Sequence, residues 1–95
     1  MSDAPNVEVV HNAARSRFEV RLDGQVSRLE YQVDDGVLSI NHTEVPTALG
    51  GRGIAGALVA AAVAYAREAG LRVVANCSYA RAWIERHPEA RGAPA

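Results

Sequence analysis

The chain has 95 residues, of which 48% are hydrophobic and 22% charged, and its formal net charge is −1. This composition is typical of one soluble globular domain, and the near-neutral charge argues against a nucleic-acid adaptor, which usually has a basic surface. The most apolar stretch, Ile54–Ala66, is too short to span a bilayer, and a single cysteine cannot form an internal disulfide. We therefore expect a cytoplasmic protein with one domain at residues 7–89 and flexible ends at 1–6 and 90–95.

Three strands joined by tight turns are predicted over the first half of the chain. Val7–Val10 is either a short extra strand or an extended lead-in. Apolar and polar residues alternate over residues 18–22 and 29–33, which is the period of half-buried strands. Asp23-Gly24 and Asp35-Gly36 predict hairpin turns between the strands. A third strand, Val37–Val45, would place alternate residues on opposite faces: Leu38, Ile40 and His42 on one, Ser39, Asn41 and Thr43 on the other.

The second half of the chain predicts helix, strand and helix. An alanine-rich helical stripe runs from Gly53 to Ala69, and Gly70 suits a left-handed residue at its end. Leu71–Asn76 has consecutive apolar residues, which predicts a buried strand, parallel to the third strand through a right-handed crossover. Ser78 is expected to cap a final helix, Tyr79–His87, that Pro88 ends. The predicted fold class is α+β (mixed α/β): antiparallel hairpin strands, then strand, glycine loop, helix, strand and helix.

The glycine loop between the third strand and the long helix indicates a phosphate ligand. Glycines at 50, 51, 53 and 56 leave the free N–H groups of the helix start open to an anion. Residues 51–56 match the dinucleotide pattern G-x-G-x-x-G, but Ala75-Asn76-Cys77 stands where the confirming acidic residue is expected. Three hairpin strands before the loop also contradict that fold. No Lys-Ser/Thr pair follows the glycines, so the P-loop pattern fails as well.

Residues 50–55 resemble the acyl-CoA-binding motif Q/R-x-x-G-x-G/A of the GNAT superfamily of N-acetyltransferases, although Gly50 stands where Gln or Arg is usual. More narrowly, the chain resembles the minimal GNAT-like family of about this length. The resemblance spans Phe18 to Glu89 and rests on four phrases in order: His42-Thr-Glu-Val-Pro46, Gly51-Arg-Gly-Ile-Ala55, Cys77-Ser-Tyr79 and Arg86-His-Pro-Glu89.

The resemblance implies acetyl-CoA as a cosubstrate and an amine, on a small molecule or a lysine side chain, as the acceptor. It places the pantetheine arm between the third strand and residues 71–76, paired with backbone near Thr43 and Val45. It places the pyrophosphate on the glycine loop, with Arg52 as the side-chain partner. The expected cofactor-binding residues are Thr43, Val45, Gly50, Gly51, Arg52, Gly53, Ile54, Ala55 and Gly56.

Four side chains are candidates for the chemistry. Cys77 precedes a helix, whose dipole lowers a thiol pKa, so it is either an acetyl-accepting thiolate or an inert buried thiol. Glu44 either takes a proton from the ammonium or is a solvated strand-end carboxylate, and we expect it to converge with Cys77. His42, on the face of Glu44, is a base, an orienting group or a structural residue. Tyr79 protonates the leaving CoA thiolate, lines the substrate channel or packs beside Trp83.

Two functions therefore remain open. The first is a small N-acetyltransferase, with weak or partner-dependent activity, that works through Cys77 or by direct attack of the amine. The alternative is a non-catalytic CoA-binding sensor or protein-interaction module, because the chain lacks the N-terminal helices that usually shape the acceptor site. We expect no metal, since no second His or Cys lies near His42 at ligand spacing. The expected oligomeric state is a monomer or weak homodimer.

Overall fold

A computed structural model describes residues 7–87. The predicted flexible ends lie outside this range, and so do Pro88 and Glu89, the last two residues of the fourth motif of the resemblance. The elements follow in chain order: β1 Val10–Asn12, a 3₁₀ turn Ala13–Arg15, β2 Arg17–Leu22, β3 Gln25–Asp34, β4 Val37–Glu44, a 3₁₀ turn Thr47–Leu49, α1 Ile54–Ala69, β5 Arg72–Ala75 and α2 Ser78–Arg86. The predicted mixed α+β class is confirmed.

The five strands form one sheet in the order β1-β2-β3-β4-β5. The first four are antiparallel neighbours, and β5 pairs parallel to β4, as predicted. Both hairpin turns adopt the left-handed conformation that an Asp-Gly pair permits, with φ of 54° at Asp23 and 55° at Asp35. The extra N-terminal strand begins only at Val10, so the predicted range Val7–Val10 is largely the lead-in.

The core lies between one face of the sheet and the two helices. Alternate sheet residues, including Phe18, Leu29 and Ile40, are almost fully buried there, and α1 covers them with a stripe of small and branched side chains. Gly70 ends α1 with φ of 73°, as predicted. The N–H of Leu71 then donates to the Ala66 carbonyl, which turns the chain into β5.

Two predictions about the last strand and helix are wrong. β5 is not buried on both faces: it is the edge strand, and the helices of residues 7–87 pack on the other face from Val74, which is 41% exposed. Three consecutive apolar residues therefore do not mark a central strand here. Ser78 does not cap α2, because the helix begins at Ser78 itself and Cys77 occupies the N-cap position.

Candidate functional site

The sheet opens between β4 and β5. Their parallel pairing ends at Ile40 and Ala75, and the N–H of Asn76 still donates to the Ile40 carbonyl at 2.9 Å. The side chains of the same strand ends are also joined, because Asn76 Nδ2 donates a hydrogen bond to Asn41 Oδ1 at 2.9 Å. Beyond it, within residues 7–87, the rest of β4 pairs with β3 alone. One edge of β4 is thus left without a strand partner beside the start of α2.

A β-bulge at Asn41 decides which side chains of β4 face that opening. Tyr31 lies opposite Ile40, but Glu30 lies opposite His42, so Asn41 is the extra residue. The bulge inverts the alternation: Thr43, opposite buried Leu29, turns towards the helices. The prediction that His42 shares a face with Leu38 and Ile40, and Thr43 the other, is therefore wrong.

Cys77 sits at the inner side of the opening. Its backbone is extended, with φ of −93° and ψ of 132°, and the chain enters α2 directly after it. The Sγ atom lies 3.7 Å from the Thr43 hydroxyl oxygen, which links the end of β5 to β4. Thr43 is thus a side-chain neighbour of the thiol, a role that the sequence did not indicate because the bulge was not visible in the alternation.

The pKa of the Cys77 thiol is lowered. Partial burial by itself raises this pKa, but interactions of the sulfur with the Ala80 N–H, the Thr43 hydroxyl and the backbone of Tyr79 and Thr43 outweigh it. The neutral thiol makes no cap hydrogen bond to α2. The first-turn N–H groups therefore act mainly on the thiolate, as expected for a negative charge at a helix start.

Glu44 and His42 lie on the opposite face of the sheet. Glu44 Oε1 forms a salt bridge with Arg28 Nη2 at 2.7 Å, and His42 Nε2 is 3.7 Å from the same oxygen. The Glu44 side chain is 53% exposed. The prediction that His42 and Glu44 share a face is confirmed, but the expectation that Glu44 converges with Cys77 is wrong, because the bulge puts their side chains on opposite faces.

The glycine loop delivers free N–H groups at the start of α1. Gly51 and Gly53 have φ of 80° and 77°, a conformation that other residues rarely adopt. The first helical bond is donated by the Ala57 N–H to the Gly53 carbonyl at 3.1 Å. The N–H groups before it therefore have no intrahelical acceptor. Ile54 is 1% exposed, so only its backbone can contribute to an anion site.

Gly56 serves helix packing. A Cβ atom built on it would lie 3.3 Å from Tyr79 Oη and 3.3 Å from Trp83 Nε1, so α2 crosses α1 here in close contact. This close contact between the helices accounts for a glycine at position 56, and no bound ligand is needed to explain it. Tyr79 thus packs with Trp83 against the first turn of α1, and its ring remains half exposed.

Arg52 has an acidic partner that the sequence did not reveal. Its Nη1 atom lies 3.2 Å from Oδ2 of Asp23, in the β2–β3 turn, 29 residues earlier. Both side chains are exposed, at 50% and 60%. No sequence pattern predicts this pair, because it depends on the turn and the glycine loop meeting at one end of the sheet.

Residues 7–87 contain no cluster of three His, Cys, Asp or Glu side chains that could hold a metal ion. None of their helices has the length and apolar character needed to cross a bilayer.

Comparison with known proteins gives a consistent result. The family model described as GCN5-related N-acetyl-transferase matches residues 17–92. Protein NATD1 of Bos taurus is 38% identical over 85 residues, covering 86% of this chain and 75% of that protein. Protein NATD1 of Xenopus tropicalis is 35% identical over 91 residues, covering 93% and 84%. The solution structure of a GCN5-like chain from Staphylococcus aureus, named as a proposed N-acetyltransferase, has a TM-score of 0.73 and 30% identity, covering 93% and 87%.

Proposed function

We propose that this chain, which belongs to the GCN5-related N-acetyltransferase family, binds acetyl-CoA and transfers its acetyl group to an amine by way of Cys77. The observation that carries the proposal is the position of the thiol. Cys77 lies at the opening between β4 and β5, and its pKa is lowered by the start of α2 and by Thr43. A thiolate, not a thiol, is the nucleophile in acyl transfer.

The ligand would lie across two elements. Its pyrophosphate binds the backbone N–H groups of residues 51–56 and the guanidinium of Arg52, where the α1 dipole favours negative charge. Its pantetheine arm follows the unpaired edge of β4 and pairs with the backbone of Thr43 and Val45. This path ends at the Cys77 thiol, so the glycine loop anchors the ligand while the chemistry takes place at the far end.

The reaction proceeds in two steps. The Cys77 thiolate attacks the carbonyl carbon of the acetyl thioester, a bond to the cysteine sulfur forms, and CoA leaves as its thiolate. The CoA thiolate takes up a proton from solvent or from Tyr79, whose hydroxyl lies at the contact of α1 and α2 beside Gly56. A neutral amine then attacks the carbonyl carbon of acetyl-Cys77, and the bond from that carbon to the cysteine sulfur breaks. The nitrogen gives up one proton to the departing Cys77 thiolate or to solvent, which leaves the neutral amide.

Glu44 and His42 are proposed to act on the acceptor. They lie on the face of the sheet away from the thiol, so an amine deprotonated at Glu44 would pass through the opening between β4 and β5 to reach acetyl-Cys77. Glu44 accepts a proton from the ammonium and His42 orients it. Neither residue is needed for acetylation of Cys77.

Intact-mass spectrometry after incubation with acetyl-CoA tests the proposal. We expect one added acetyl group on the wild-type chain and none on Cys77→Ala. Release of CoA is then followed with polyamines, amino acids and lysine peptides, with Cys77→Ser as a size-matched control. Full turnover by Cys77→Ala would exclude the covalent route in favour of direct attack. Tight CoA binding with no CoA release for any amine would favour a non-catalytic CoA-binding module.

A further inference from the structure

The pairing of Arg52 with Asp23 places an acidic group beside the proposed phosphate site. Asp23 occupies the first position of a two-residue turn in which both φ angles are positive, 54° at Asp23 and 74° at Gly24. The strands on either side are in register, with Leu22 opposite Gln25. The turn therefore fixes the backbone of Asp23 at the end of the β2–β3 hairpin.

Arg52 forms the other side of the contact. It stands between Gly51 and Gly53, both left-handed, directly before the free N–H groups of α1. A guanidinium here can pair either with the Asp23 carboxylate or with a phosphate at the helix start. The Arg52–Asp23 pair, at 3.2 Å, is the first of these arrangements.

We propose that Asp23 is a specificity-determining residue that competes with the ligand's phosphates for Arg52, an inference that rests on the proposed binding of CoA. Binding exchanges one anion for another on the same guanidinium and leaves the Asp23 carboxylate close to a second negative group. Asp23 therefore lowers the affinity for ligands that carry a pyrophosphate. Acetyl-CoA and product CoA carry the same pyrophosphate, so this competition weakens the binding of both to the same extent.

Isothermal titration with CoA tests the inference, using wild type, Asp23→Asn, Arg52→Gln and the double variant. Asparagine suits a left-handed turn position, so Asp23→Asn keeps the hairpin. Because the pair is exposed, we expect Asp23→Asn to tighten CoA binding by roughly two- to fivefold at low salt. The gain should shrink in the Arg52→Gln background and at high salt. Binding of S-acetylpantetheine, which has no pyrophosphate, should not change.

Asp35→Asn is a matched control. Asp35 has φ of 55° in an identical Asp-Gly turn, but that turn joins β3 to β4 at the opposite end of the sheet. The two variants make the same charge change in the same turn type. If Asp35→Asn tightens CoA binding as much as Asp23→Asn, net charge is the cause and the inference is overturned.

The remaining outcomes separate the two proposals. Unchanged or weaker CoA binding by Asp23→Asn, with a wild-type chain that binds CoA, overturns the competition and leaves the proposed function intact. An equal gain with and without Arg52 also overturns it, since Asp23 would then act on the ligand directly. A wild-type chain that binds neither CoA nor acetyl-CoA overturns the proposed function itself.

Discussion

The pKa of Cys77 is lowered by neighbours from two elements: the N–H groups that open α2, and Thr43 of β4 through its hydroxyl and backbone. The thiol is only partly buried, so solvent screens both contributions. A hydroxyl that donates to a thiolate stabilises the charged form, which lowers the pKa. Substitution of the Thr43 side chain should therefore change the pKa of the Cys77 thiol without disturbing α2.

Thr43→Val replaces the hydroxyl by a methyl group of similar volume and keeps the β4 backbone. We expect the pKa of Cys77 to rise, and alkylation by iodoacetamide below that pKa to slow roughly two- to fivefold. The pH profile of the alkylation rate measures both effects. Thr47→Val, on the exposed 3₁₀ turn after β4, is the control and should leave the profile in place. An unchanged profile for Thr43→Val would mean that backbone groups of α2 and of Thr43 lower the pKa without the hydroxyl.

Glu44→Gln separates the two steps of the proposed reaction. Its side chain lies on the other face of the sheet from the thiol, so acetylation of Cys77 should proceed at the wild-type rate. Transfer to the amine should slow by roughly a hundredfold, the low end of general-base effects, because Glu44 is exposed and paired with Arg28. Intact mass measures the first step and amide formation the second.

Glu30→Gln is the control for that experiment. Glu30 also pairs with Arg28, at 3.0 Å from its Nε atom, and it lies opposite His42 on the same face. If both variants slow transfer equally, the effect comes from the charge of this face and Glu44 is not the base.

At the scale of elements, close packing of α1 on α2 fixes the start of the helix that carries the thiol. Gly56→Ala would add a methyl group in contact with Tyr79 Oη and Trp83 Nε1. Alanine normally stabilises a helix by about 1 kcal/mol relative to glycine, whereas overpacking costs about 1–3 kcal/mol. We expect net destabilisation of about 1 kcal/mol in urea unfolding, and slower Cys77 alkylation because α2 shifts.

Tyr79→Phe removes the hydroxyl from this contact and should recover part of the loss in the Gly56→Ala background. A Gly56→Ala variant more stable than wild type would show that the helices have room at this crossing. The glycine would then have to be explained by the ligand and not by packing.

The elements also show where prediction from sequence succeeds and fails. The Asp-Gly turns and Gly70 require positive φ, which is a local demand that the residue type reveals. The bulge at Asn41 arises from pairing with β3, so the regular alternation of Val37–Glu44 gave no sign of it. Because of that one extra residue, Thr43 faces Cys77 at the opening, whereas His42 and Glu44 lie on the other face of the sheet. The position of Cys77 at the end of β5 was therefore predictable, but its side-chain neighbour on β4 was not.

In the whole molecule, the aromatic packing and the proposed site lie at opposite edges of the sheet. His11 of β1 stacks on Phe18 with ring centroids 4.2 Å apart, touches Tyr65 of α1 at 4.5 Å and bonds the hydroxyl of Tyr31. Burial, with a smaller contribution from Tyr65, raises the pKa of Tyr31. This cluster ties β1 to the core, whereas β5 and Cys77 lie at the other edge.

His11→Ala should therefore reduce stability without reducing thiol reactivity. Losing the ring stack and the partner of a buried hydroxyl costs about 1–3 kcal/mol, which is a large share of the stability of so small a domain. Urea unfolding measures the loss, and Cys77 alkylation under native conditions should keep its wild-type pH profile. Val10→Ala, at the neighbouring exposed position of β1, should change neither. A shifted Cys77 profile in folded His11→Ala would mean that the two edges are coupled through α1, and the site would then depend on the packing of the whole sheet.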